Sequence, residues 1–170
     1  MRLYLVRHAE AAPRGTPGFA QDAQRPLTEE GHEQAKAVGE GLKRLKIAPS
    51  VIGTSPFLRA VQTAEHLAQV FGLTSTVRKL EALQPDAAAA ETSTALRGLS
   101  MYKHVALVGH EPHLSAWLSM LVAGEESLRC LFKKAGVACV EVDRLPPSRG
   151  TGELRWLMTP KQLLMIGKAA

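Results

Sequence analysis

Three short apolar runs constrain the fold more than any other feature of the chain. They are LYLV (3–6), VIGT (51–54) and HVALV (104–108), each running into polar residues and then into a segment with helical spacing. Runs of four to six apolar residues read as strands buried on both faces, as in a parallel sheet covered by helices. After the first run comes PLTEEGHEQAKAVGEGLKRLK, where Thr28 can cap a helix and Glu29 and Glu30 suit its positive end. Ala35, Val38, Leu42 and Leu45 recur at helical spacing, and Lys43, Arg44 and Lys46 gather at the far end, so a helix is expected over 29–46. After the second run, SPFLRAVQTAEHLAQVFG offers Ser55 as cap, Pro56 at the first helical position and Gly72 as terminator. A strand near 75–79, an alanine-rich helix over 86–98, a helix over 113–122 and late strands at 136–142 and 152–158 complete the expectation. Strand–helix alternation of this kind predicts an α/β class, a three-layer α/β/α sandwich with a mostly parallel central sheet. At 170 residues, with no repeat and no linker, the chain reads as a single domain over 1–170.

Composition removes several function classes. The two cysteines, Cys130 and Cys139, form no CxxC pair, so a disulfide scaffold or zinc site is not expected and both should be free thiols. HEPH (110–113) is not the HExxH metal motif, and no metal or other cofactor is expected. The opening apolar run is too short for a signal peptide and no run approaches membrane-spanning length, so a cytoplasmic protein with no membrane partner is expected. The net charge of +5 is scattered and accompanied by only two tyrosines, two tryptophans and four phenylalanines, which argues against nucleic acid. It suits an anionic substrate such as a phosphate.

In open α/β sheets ligands sit at the carboxyl ends of the strands. The first strand ends in Arg7-His8, the HVALV strand in Gly109-His110-Glu111, and the second leads through Thr54-Ser55-Pro56 to Arg59. Two histidines and two arginines are thus expected to converge. A cation early in a helix is unfavourable by a few tenths to about 1 kcal/mol, and a bound anion facing both Arg59 and the helix N-terminus reverses the sign. An arginine lying over the surface toward Glu65 is the alternative. His32 and His66 on helices, His104 at a strand start and His113 at a helix start have no catalytic context.

RHAE after the first strand, PLTEEGHEQA and SPFLRAVQTAE opening the first two helices, and VGHEP after a later strand resemble the histidine phosphatase (phosphoglycerate mutase-like) superfamily. The short length and the SPFLRA form resemble its SixA-type phosphohistidine phosphatases. The resemblance covers roughly residues 1–115 and implies a phosphoglycerate mutase-like fold. It implies His8 as a phosphoryl-accepting nucleophile, with Arg7, Arg59 and a protonated His110 as the phosphate pocket. The family motif reads RHG, and Ala9 here raises the question of a positive φ at that position. A mid-chain acid that protonates the leaving group is implied at Glu81, with Asp86 and Glu10 as alternatives. The implied substrate is a phosphohistidine-containing protein, or else a small phosphate monoester handled by the same core. The 11–26 segment, rich in glycine and proline, is the expected pocket wall.

Overall fold

The computed structural model describes residues 1–168. Six strands form one sheet in the order β3-β2-β4-β1-β5-β6. These are β1 (Arg2–Arg7), β2 (Val51–Thr54), β3 (Val77–Lys79), β4 (His104–Gly109), β5 (Val137–Glu141) and β6 (Glu153–Met158). The first four are mutually parallel, and β5 and β6 are antiparallel additions beside β1. The helices are α1 (Glu29–Arg44), α2 (Leu58–Phe71), α3 (Ala89–Ala95), α4 (His113–Ala123) and α5 (Pro160–Lys168).

Successive side chains of a strand point to opposite faces, and β1 shows what this requires. Leu3 and Leu5 enter a core with Trp117, Leu118, Leu96 and Phe132, under α3 and α4. Tyr4 and Val6 enter a second core with Val38, Leu42, Leu67 and Leu163, under α1, α2 and α5. A run apolar on every residue is therefore the pattern of a strand covered twice. The result is the three-layer sandwich with a mostly parallel sheet.

Local signals explain most element ends. Thr28 Oγ1 accepts the Gly31 N–H at 3.1 Å and caps α1. A side chain at Gly31 would overlap the Glu10 carbonyl, so glycine there lets the loop after β1 sit directly on the first turn of α1. Gly72 closes α2 at φ 70°. Three boundaries differ from expectation. The α2 helix starts at Leu58 with Phe57 as cap residue, because the Ser55 hydroxyl accepts the Phe57 N–H and is also drawn toward His110. The alanine-rich helix is shorter, 89–95, and tightens into a 3-10 turn over 96–99. The α5 helix was not anticipated, because its apolar residues form a stripe only once Leu163 is seen packed against α1.

The chain leaves β1 toward α1 on one face and leaves β4 toward α4 on the other. β1 and β4 are neighbours, with Arg7 opposite Gly109, so their diverging exits open a crevice at the carboxyl ends. Among the described residues no helix is long and apolar enough to cross a membrane.

Candidate active site

The β1–β4 register places His8 and His110 side by side one residue beyond the strands. The His8 N–H donates to the Gly109 carbonyl at 3.0 Å, and the two imidazole centroids lie 5.0 Å apart. Ser55, whose N–H donates to Val108 O at 2.9 Å, supplies the third strand end. His8, His110, Arg7 and Arg59 line one cavity of about 350 Å³, so the four residues expected to converge do so.

His8 is 7 % exposed and its ring is held at both nitrogens. Nδ1 lies 2.7 Å from the Ala9 carbonyl, which can only accept, so Nδ1 carries the proton. Nε2 therefore presents its lone pair, and the Arg59 Nε–H points to it at 3.2 Å. Burial pushes the His8 pKa down to about 3; the Ala9 bond resists, and the charges of Arg59 and Arg7 add to the depression. A neutral imidazole whose Nε2 lone pair faces the cavity, engaged only by the Arg59 N–H, can act as a nucleophile at neutral pH. Ala9 sits in this loop without a positive φ, the described non-glycine residues with positive φ being Lys46 and Ala135. The backbone after His8 therefore accepts alanine.

His110 donates to or accepts from Ser55 Oγ at 2.9 Å through Nε2, and its Nδ1 has no protein partner. Burial, then His8, then Arg59 lower its pKa. The resemblance implies a protonated His110, whereas burial above all, and the nearby Arg59 charge, favour the neutral imidazole here. Arg7 Nη1 donates to Phe132 O at 2.6 Å, while its buried Nε has no protein partner.

Arg59 is 2 % exposed and does not reach toward Glu65. It is gripped by Asp22, through the main-chain oxygen at 2.7 Å and Oδ2 at 2.9 Å. Asp22 also pairs with Arg25 at 2.8 Å and Arg14 at 3.2 Å. Both arginines line the His8 cavity, as does Lys134 in its ion pair with Glu10. The 11–26 segment is therefore a pocket wall that also brings charge. Asp22, Arg14, Arg25 and Lys134 were missed in the sequence, since nothing local marks a loop charge as pointing inward. An Asp-x-x-Arg spacing just before a capped helix was the available signal.

Glu81 lies on the surface, bonded to Gln84, and does not line the His8 cavity. The 3-10 turn over 81–83 buries Leu83 and turns the carboxylate outward. Asp86 is exposed on the rim of an adjoining cavity of about 810 Å³, whose walls are the 14–22 loop, Phe57 and Pro85. Glu111 does share the His8 cavity. The Ser115 hydroxyl lies 2.5 Å from Glu111 Oε2 and 3.2 Å from Cys130 O. The hydroxyl donates to the Glu111 carboxylate, with the more distant Cys130 carbonyl as a second acceptor. Burial raises the Glu111 pKa, while the Ser115 hydrogen bonds and the Arg7 charge act against it.

The remaining histidines are structural ties. His113 Nε2 meets Thr92 Oγ1 at 2.8 Å and joins α4 to α3. His32 and His66 meet at 2.8 Å and join α1 to α2. Cys130 and Cys139 are free. Among the described residues no three His, Cys, Asp or Glu side chains gather as a metal site.

A neutral imidazole between arginines, at the carboxyl-end crevice of a mixed α/β sheet, defines the class of α/β proteins whose site suits an anionic group such as a phosphoryl. Residues 3–94 match the model of the histidine phosphatase superfamily (branch 1), and the chain belongs to that family. Phosphohistidine phosphatase SixA of Escherichia coli (strain K12) is 29 % identical over 167 residues, 97 % of this chain and 98 % of that one. An uncharacterised protein of Picosynechococcus sp. is 34 % identical over 170 residues, covering 96 % and 99 %. Among solved structures, protein histidine phosphatase SixA complexed with tungstate superposes with a TM-score of 0.83 at 29 % identity, over 96 % of this chain and 99 % of that one. The chain is a phosphatase of this superfamily.

Proposed function

We propose that this phosphatase removes phosphate from phosphohistidine in a protein, through a phosphohistidine of its own at His8 and without a metal ion. The observation that carries the reading is the state of the carboxylates around His8. Asp22 is held by three arginines, Glu10 is paired with Lys134, and Glu111 accepts the Ser115 hydroxyl. Glu81 is outside the cavity. Among the described residues the carboxylates near His8 are thus engaged in contacts of their own, so a substrate that departs unaided fits best. Protonated phosphohistidine does so, because its leaving group is a neutral imidazole.

In the first step the His8 Nε2 lone pair attacks phosphorus in line. The new N–P bond forms as the substrate N–P bond breaks, and the electron pair leaves with the substrate imidazole. Arg7, Arg59, Arg14 and Arg25 stabilise the equatorial oxygens, which is most of what phosphoryl transfer asks of a protein. His110 gains basicity as the anion enters and donates through Nδ1 once protonated. In the second step water attacks the phosphorus of phospho-His8, inorganic phosphate departs, and Nε2 regains its pair. Four arginines already supply the positive charge that a metal ion would bring, and they would repel one.

A small phosphate monoester is the second reading, favoured by Asp86 on the rim of the adjoining cavity. Phosphate release in EDTA from a phosphohistidine-bearing protein and from an alkyl phosphate, with His8→Ala as blank, separates the two. His8-dependent release from the first alone supports the proposal. Release from the alkyl ester moves the assignment to small monoesters and makes Asp86 the acid to mutate.

A further inference from the structure

Building on that reading of His8, we propose that Asp22 is a positioning residue. It holds Arg59 so that the Nε edge of the guanidinium is aimed where the phosphoryl group meets His8 Nε2, and it draws Arg25 and Arg14 to the same place.

The allocation of the Arg59 donors carries the argument. Both terminal nitrogens go to one residue, Nη1 to the Asp22 main-chain oxygen at 2.7 Å and Nη2 to Oδ2 at 2.9 Å. Nε alone points to His8 Nε2, at 3.2 Å. A guanidinium is planar with its N–H groups in a fixed fork, so fixing the two terminal nitrogens fixes the direction of Nε. The second Nη2 hydrogen lies on the same edge as Nε–H. When phosphorus takes the position in front of Nε2, this edge meets two phosphoryl oxygens without any search over rotamers.

Charge supports the same role. Arg59 is 2 % exposed, and a buried cation needs a counter-charge. Arg25 and Arg14 both act against its ionisation, and Asp22 is the carboxylate bonded to it. The other carboxylate oxygen, Oδ1, takes Arg25 Nε at 2.9 Å and Arg14 Nε at 3.2 Å. One carboxylate thus gathers three cations from a loop and a helix that would otherwise repel each other. Its own side chain is 35 % exposed, so these contacts, rather than burial, keep it in place.

The test uses inorganic phosphate as the probe, with Asp22→Asn and Asp22→Glu. Asp22→Asn is expected to weaken phosphate binding in calorimetry about tenfold or more and to raise KM by a similar factor. The Arg59 Nε–H resonance in a 15N NMR spectrum is expected to be sharp in the wild type and broadened in Asp22→Asn, with backbone amides away from the site unchanged. A merely structural role would not single out that resonance. Asp22→Glu, which keeps the charge on a longer arm, is expected to fall between the two, and it carries the test alone if the Asn variant loses its native spectrum. Phosphate binding in Asp22→Asn as tight as in the wild type, or tighter, overturns the proposal, because the carboxylate would then be competing with the anion for the arginines. For Asp22→Glu alone, binding equal to the wild type overturns it. A wild type that binds no phosphate overturns the functional reading itself.

Discussion

His8 is expected to remain neutral at a pH where ordinary histidines are charged. An imidazole at its usual pKa of about 6.5 is roughly one-eleventh neutral at pH 5.5. With the His8 pKa near 3, roughly one molecule in three hundred is protonated at that pH, so the nucleophile is not lost to acid. The same shift carries a stability cost. The folded state holds His8 neutral and the unfolded chain does not, so its contribution is present above pH 6.5. That contribution is lost as pH falls from 6.5 toward 3. Between pH 7.5 and 5.5 that amounts to about 1.4 kcal/mol, one pKa unit's worth of differential binding. His113, at about 4, adds a loss of the same sign. Imidazole 15N NMR against pH reads the result directly: His8 should show a protonated Nδ1, a bare Nε2 and no titration between pH 7.5 and 5. Urea midpoints should fall over the same range. A His8 that titrates near 6, or one with the proton on Nε2, would sink both the tautomer assignment and the account of the nucleophile.

Other consequences can be checked by substitution. Arg59→Lys replaces a fork by a point charge, and kcat/KM should drop about ten- to a hundredfold, the worth of one or two charge-assisted bonds. A near-normal rate constant would show that the edge geometry is immaterial. Glu81→Gln should leave turnover within about twofold, because the carboxylate is outside the cavity. Glu111→Gln keeps an acceptor for the Ser115 hydroxyl, so steady-state rates at pH 7 should change little, and a loss beyond about tenfold would mean that the Glu111 carboxyl takes part in turnover. Ala9→Gly should lower stability by about 0.5–1 kcal/mol in thermal unfolding with no gain in rate, since the native φ there suits alanine.

The strand–helix alternation was legible because each of its signals is local. LYLV and HVALV are apolar on every residue, as a strand with two covered faces must be. Thr28, Gly72 and the acidic first turn of α1 act within a few residues of themselves. Arg7, His8, Arg59 and His110 were legible for a related reason: each stands at or just past a strand end, and the sheet rule converts that into shared location. The Asp22 carboxylate, the Glu111–Ser115 contact and the outward Glu81 were not legible.

What the sequence determined by itself is therefore most of the elements up to β6, the class of fold and the residues at the strand tips, since periodicity and capping are properties of neighbours along the chain. Only the tertiary structure decided which charges face one another across it. Asp22 meets Arg59 over 37 residues, Glu10 meets Lys134 over 124, and Arg7 meets Phe132 over 125. It also decided which way burial moves the pKa values of His8, His110 and Glu111, because desolvation depends on what surrounds a group on every side, and most of those surroundings come from distant parts of the chain.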